Sequence, residues 1–131
     1  CNNAACFLLE NRAVGDNHDV DVRFRLRMRQ GETIAIGPGK IALLEAIQAC
    51  GSISAAARSM GMSYRRAWML LEELNACLAS PATQSEQGGS RGGGSALTPV
   101  GEAIIDRYRA IEHRASEACA ADIASLRSLL K

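Results

Sequence analysis

GSISAAARSMGMSYRRAW, residues 51–68, is the stretch that decides the fold. Ser52 or Ser54 can cap a short helix over 54–60, Gly61 ends it, and Ser63 caps a second helix running to about Ala79. Ala55, Ala56 and Ala57 are small enough to let two helices cross closely, and Gly61 permits a sharp turn between them. Ile53, Met60 and Met62 can bury the hinge. In the longer helix, Ala67, Leu70, Leu71, Leu74 and Leu78 recur at helical spacing and form an inward stripe. That stripe holds the opposite face outward, with the first turn available to a major groove. Ser63, Tyr64, Arg65 and Arg66 stand there, donors of the kind that contact phosphates and base edges. Trp68 is read as a core residue or a wedge between helices, the alternative being a residue that stacks on DNA, and Glu72 and Glu73 as solvated.

Downstream, Pro81 stops the helix. Residues 82–87 read as an extended strand, GGSRGGGS at 88–95 as a flexible tip, and 96–98 as the return strand. Such a hairpin can follow a groove, with Arg91 placing charge in a minor groove or against phosphate. Thr98 caps a long final helix, with Pro99 at its first position and Glu102 near its first turn. Val100, Ile104, Tyr108, Ile111, Ala115, Ile123, Leu126 and Leu130 line one side of it. A helix over 99–130 would be about 48 Å long. A domain this small cannot cover such a stripe alone, so a two-fold dimer is expected, presenting two recognition helices to successive major grooves.

Upstream, VDVRFRLRMR at 20–29 alternates strictly, with five apolar residues on one face and Arg23, Arg25, Arg27 and Arg29 on the other. It reads as a half-buried strand whose arginine row is a solvated, aggregation-resistant face. Gln30, Gly31 and Glu32 form a turn into a second strand at 33–37. A helix from Lys40 to Cys50 follows, with Ile41, Leu44 and Ile47 inward and Gly51 as its terminator. Residues 1–19 have no clear period and read as a flexible leader. The fold class is mainly α with a small β component, a winged helix-turn-helix over 20–131 ending in a long dimerisation helix.

Composition narrows the function. In 131 residues, 15 Lys and Arg balance 14 Asp and Glu for a net charge of +1, which excludes a histone-like polycation. Aromatics at 4% argue against a base-stacking platform for single strands. No run approaches the roughly 20 apolar residues of a membrane span. Five cysteines lie scattered without a C-x-x-C, and the two histidines are far apart, so neither a disulfide scaffold nor a zinc site is expected. Buried reduced thiols in a cytoplasmic protein are the plainer reading. The glycine run lacks the lysine of a phosphate-binding loop, and no nucleophile–base pattern surrounds His18 or His113. The sequence therefore reads as neither an enzyme nor a cofactor carrier. It reads as a dimeric binder of double-stranded DNA, the alternative being a protein-interaction adaptor that keeps the fold without binding DNA.

Three stretches carry a resemblance: IALLEAIQACGSISAAARSMGMSYRRAW, then LLEELN, then GGSRGGGSALTPVGEAIIDRY. Together they resemble the N-terminal DNA-binding domain of ModE-type molybdate-responsive bacterial transcription regulators. LysR-type regulators share a looser helix-turn-helix without this glycine-rich wing. The resemblance implies a winged helix, a dimer and a role as repressor or activator. By motif position it places Ser52 and Ser54 at the start of the first motif helix, Ser63, Tyr64, Arg65 and Arg66 at the opening of the recognition helix, and Arg91 at the wing tip. Molybdate sensing in that family resides in separate C-terminal oxyanion-binding domains. The expectation is a stand-alone member to which molybdate does not bind.

Overall fold

The alanines of the motif, Ala56, Ala57 and Ala67, are completely buried where two short helices cross, and the rest of the domain is arranged around that crossing. The computed structural model describes residues 20–86 and 94–131. The elements run β1 (Met28–Gln30), β2 (Thr33–Ile36), α1 (Pro38–Cys50), α2 (Ile53–Ser59), α3 (Tyr64–Cys77), β3 (Thr83–Glu86), β4 (Gly94–Leu97), α4 (Pro99–Ala118) and α5 (Ala120–Arg127). The chain is mainly helical with two small antiparallel sheets, β1–β2 and β3–β4. The arrangement is a winged helix-turn-helix.

The helix-turn-helix forms as the sequence dictates. Ser52 caps α2 and Ser63 caps α3, each hydroxyl accepting the backbone N–H three residues on at 3.1 Å. Such caps are each worth about 1 kcal/mol. Between them Gly61 adopts φ 68°, a left-handed conformation that costs any other residue roughly 1–2 kcal/mol. The turn is then closed by the Met62 N–H donating to Ala57 O at 3.0 Å. Leu43, Leu44 and Ile47 of α1, Leu71 and Leu74 of α3, Ala82 and Ile105 complete the core.

Gly101 sets how closely α4 packs on the base of the wing. A Cβ there would lie 2.2 Å from Ala82 O. That same oxygen accepts the Thr98 N–H at 2.9 Å, while Thr98 Oγ1 donates to Pro81 O at 2.6 Å and accepts from Gly101 N. The Thr-Pro-Val-Gly run is thus both a helix cap and a seat for the hairpin.

Three expectations are corrected. The strand read over 20–29 pairs only at Met28–Gln30. Its alternation is real: Val20, Val22, Phe24 and Leu26 are half-buried, while Asp21, Arg23, Arg25 and Arg27 are exposed. Its partner strand, however, is four residues long and ends at Gly37-Pro38, where proline has no N–H to donate, so β2 offers residues 20–27 nothing to pair with. Leu26 O instead accepts the Tyr108 hydroxyl at 2.9 Å. An irregularity between Met28 and Arg29 shifts the register, and Met28 is exposed rather than inward.

The second correction concerns the wing, whose return strand begins at Gly94, inside the run expected to be its tip. The third is that the final helix is not one rod to residue 130. Cys119 leaves helical geometry at φ −101°, ψ 8°, and α5 follows. The bonds Cys119 N–H to Ala115 O and Ile123 N–H to Cys119 O persist, so the hydrogen-bond ladder continues through the interruption. No residue of α5 is buried. The expected leader, 1–19, and residues 87–93 lie outside the described residues.

Candidate nucleic-acid interface

The N-terminal turn of α3 is the most exposed part of the helix-turn-helix. Ser63, Tyr64, Arg65 and Arg66 are all exposed, and behind them Ala67 seats the turn against the core. The turn holds no acidic residue. The positive end of the helix dipole therefore adds to the two guanidiniums instead of being neutralised by a carboxylate. Ser63 accepts the N–H of Arg66, which fixes the backbone from which that arginine projects.

α3 is held by its other half, on both flanks. On one, Lys40 of α1 is buried to 6% exposure, donates from Nζ to Ile34 O and lies 3.1 Å from Glu73 Oε2. One ammonium thus joins the β1–β2 hairpin, α1 and α3. On the other, Asn75 Oδ1 accepts the Ala82 N–H at 2.8 Å, and its Nδ2 donates to Thr83 Oγ1 at 3.3 Å. That amide fastens the first wing strand to α3. The second strand is fastened to the start of α2, because the Ser95 N–H donates to Gly51 O at 3.1 Å.

Ser52 therefore sits beside the base of the wing, half-buried, its hydroxyl already accepting from Ala55 N; Ser54 is exposed one residue inside α2. The structure groups Ser63, Tyr64, Arg65 and Arg66 on one turn, with Ser52 and Ser54 at the neighbouring helix start. Arg91 lies outside the described residues.

One side-chain reading changes here and one is extended. Trp68, expected in the core or between helices, is 45% exposed on α3. The inward stripe at Ala67, Leu71 and Leu74 occupies the buried face and leaves the indole on the flank. Glu73 is exposed like Glu72, as expected, and is in addition paired with Lys40.

Sequence reasoning missed Lys40 and Asn75. Lysine is used only twice in this arginine-rich chain, at 40 and 131, which marks Lys40 as unusual. An asparagine in the last turn of a helix is a poor helix former and a good side-chain partner for backbone, which marks Asn75.

A second ionic tie positions α4 on α1. Arg109 pairs with Glu45, its Nε donating to Oε2 at 3.2 Å, and with Glu112 at 2.6 Å. The bond to Glu45 holds the guanidinium proton more firmly than in a free arginine. Among the described residues no group of three His, Cys, Asp or Glu could hold a metal ion, and no helix is long and apolar enough to cross a membrane.

Comparison with known proteins gives this geometry a context. No family model matches the chain. The chain is 37% identical over 87 residues to the transcriptional regulator ModE of Haemophilus influenzae, covering 66% of this chain and 34% of that protein. It is 34% identical over 108 residues to the ModE of Yersinia pestis, covering 80% of this chain and 41% of the relative. It is 49% identical over 77 residues to the molybdenum-pterin-binding protein MopB of Rhodobacter capsulatus, covering 59% of this chain and 28% of that protein. These matches thus span between 28% and 41% of the relatives' length. The chain is homologous to the N-terminal region of ModE regulators and Mop proteins. None of these three relatives bears the name of an enzyme.

Proposed function

We propose that this homologue of the ModE N-terminal region is a sequence-specific binder of duplex DNA and regulates transcription. The observation that carries the reading is the exposed, acid-free first turn of α3, with Arg65 and Arg66 on a helix clamped from both flanks by its far half. In a major groove, Arg65 and Arg66 supply base-edge contacts and Ser63 and Tyr64 contact phosphate or base. The starts of α2 and the wing lie on the backbone, with Ser52, Ser54 and Arg91 as donors. A rigid helix loses little conformational entropy on binding, which favours tight, specific contact.

The working form in this reading is a homodimer. Ile111, Leu126, Leu129 and Leu130 are exposed along α4 and beyond, Leu126 at 67%, which supports a second copy covering that side. A two-fold pair would carry two α3 helices to grooves about 34 Å apart. In this reading residues 20–131 bind DNA and not molybdate.

Fluorescence anisotropy against duplexes selected from a random pool, repeated across a salt titration, tests the proposal. Affinity should fall steeply with salt. Arg65→Ala and Arg66→Ala should each cost about 1–3 kcal/mol where the arginine pairs with a base, and should relax the preference there. A folded chain that binds no duplex at low salt is the adaptor instead. Equilibrium dialysis against molybdate checks the remaining clause.

A further inference from the structure

The exposed face of α3 is more apolar than phosphate contact requires. Beyond Arg65 and Arg66 it presents Tyr64 at 55% exposure, Trp68 at 45% and Met69 at 48%. The chain holds one tryptophan and five aromatic residues in all, so its single indole is spent on the surface. Tyr64 lies one turn before Trp68 on the same flank, and Asn75, which anchors the wing, lies two turns after it. Trp68 therefore stands on the wing side of α3, and the Lys40–Glu73 pair holds the other side.

An exposed indole on a rigid helix is stabilised by whatever removes it from water. The charge around it selects the occupant. Arg65, three residues before Trp68 and so its neighbour on the helix surface, and the positive helix end lie beside the indole, and the first turn carries no carboxylate. That setting complements a phosphate-walled groove. The apolar group which a major groove exposes on its floor is the 5-methyl of thymine.

We propose that Trp68 is a specificity-determining residue that packs on a thymine methyl, so that each operator half-site carries a thymine facing it. Tyr64 extends the same apolar contact along the strand. The inference rests on the DNA-binding reading above and adds to it the base class read on this flank.

The test uses the full chain and its selected operator, with each thymine in turn replaced by uracil, which removes only the methyl group. At one position per half-site, uracil should weaken binding about fourfold, the worth of one methyl withdrawn from water. Trp68→Ala should bind thymine and uracil equally at that position while keeping its preferences elsewhere. Because Trp68 is the single tryptophan, its emission should also shift on saturation with the operator. The uracil scan and the emission need no variant, so they stand even if Trp68→Ala fails to fold. A half-site without thymine, or uniform tolerance of uracil with unchanged emission at saturation, overturns the inference and leaves salt-dependent DNA binding intact. No binding by the wild-type chain overturns both.

Discussion

Adding one methyl group at Gly101 sets helix propensity against packing, and the structure says which wins. Gly101 is the third residue of α4, where alanine is the better helix former by about 1 kcal/mol. Its Cβ, however, would stand 2.2 Å from Ala82 O and 3.1 Å from the carbon of that carbonyl. The oxygen cannot retreat freely. It accepts the Thr98 N–H at 2.9 Å, the Ala82 N–H is held by Asn75 at 2.8 Å, and Ala82 is fully buried. Relieving the overlap costs about 1–3 kcal/mol as overpacking. Losing the Thr98 bond costs about another 1–3. Against a gain of about 1, Gly101→Ala should destabilise by roughly 1–5 kcal/mol, a fall in Tm on the order of 10 °C at the middle of that range. Gly39→Ala is the control: it lies in α1 with nothing within 4 Å of a Cβ, and should be neutral or stabilise by up to about 1 kcal/mol. Urea unfolding of the two variants checks both signs. A Gly101→Ala protein as stable as wild type would show that α4 and the wing base are not packed as described.

Lys40 and Glu73 should behave unequally, because Lys40 is buried and the Glu73 side chain is half exposed. Lys40→Ala leaves Ile34 O without its donor and should cost about 1–3 kcal/mol, whereas Glu73→Gln should cost under about 1; equal costs in urea unfolding would contradict this geometry. Burial raises the pKa of Tyr108 above its usual 10.0, and Glu112 adds to the shift. The folded state thus favours the neutral phenol, so this stabilisation is complete below about pH 10 and is lost as pH rises through the raised value. Tyr108→Phe should forfeit about 1 kcal/mol at neutral pH through its lost bond to Leu26 O, and should then decline less steeply than wild type above about pH 10; parallel unfolding curves would refute it. Changing Leu126 and Leu130 to Ser should leave the monomer fold within about 0.5 kcal/mol but raise the dimer dissociation constant at least about tenfold by sedimentation; an unchanged assembly would remove these residues from the interface.

Where the sequence was legible, a local rule sufficed. Ser52, Ser63 and Thr98 are caps readable from one residue and its neighbours, and Gly61 is a turn readable from the two periodic segments it separates. The inward stripe of α3 follows from spacing alone. Tertiary partners were not legible in this way. The alternation correctly separates inner from outer side chains over 20–27 but fails at Met28, and pairing depends on how far β2 extends, which Gly37-Pro38 cuts short. The interruption at Cys119 has no proline or glycine to announce it, and the flanking Ala118 and Ala120 are good helix formers. Trp68 is exposed although an apolar indole on a helix suggests burial, because the stripe at Ala67, Leu71 and Leu74 takes the buried face. Lys40 and Asn75 each act over a contact that no sequence window contains.

In the DNA-binding reading proposed above, those two distant contacts leave the first turn of α3 free to carry the reading residues. Glu73 and Asn75 lie in its second half, one tied to α1 and the first hairpin, the other to the wing. The first half leans on the core through Ala67 and projects Tyr64, Arg65, Trp68 and Met69. None of the four projecting residues is buried, and substitutions at exposed positions ordinarily cost less stability than those in the core. In that reading, stability and readout fall to opposite ends of one helix. The anchors reach their partners without occupying the exposed first turn, so changing which bases are read need not loosen the element that reads them. The same division predicts that Asn75→Ala, which frees the base of the wing, should lose about 1–3 kcal/mol of stability through the unpaired Ala82 N–H and weaken binding to every duplex alike. Selection from a random pool should return an unchanged operator for that variant; an altered operator would show that Asn75 itself takes part in readout.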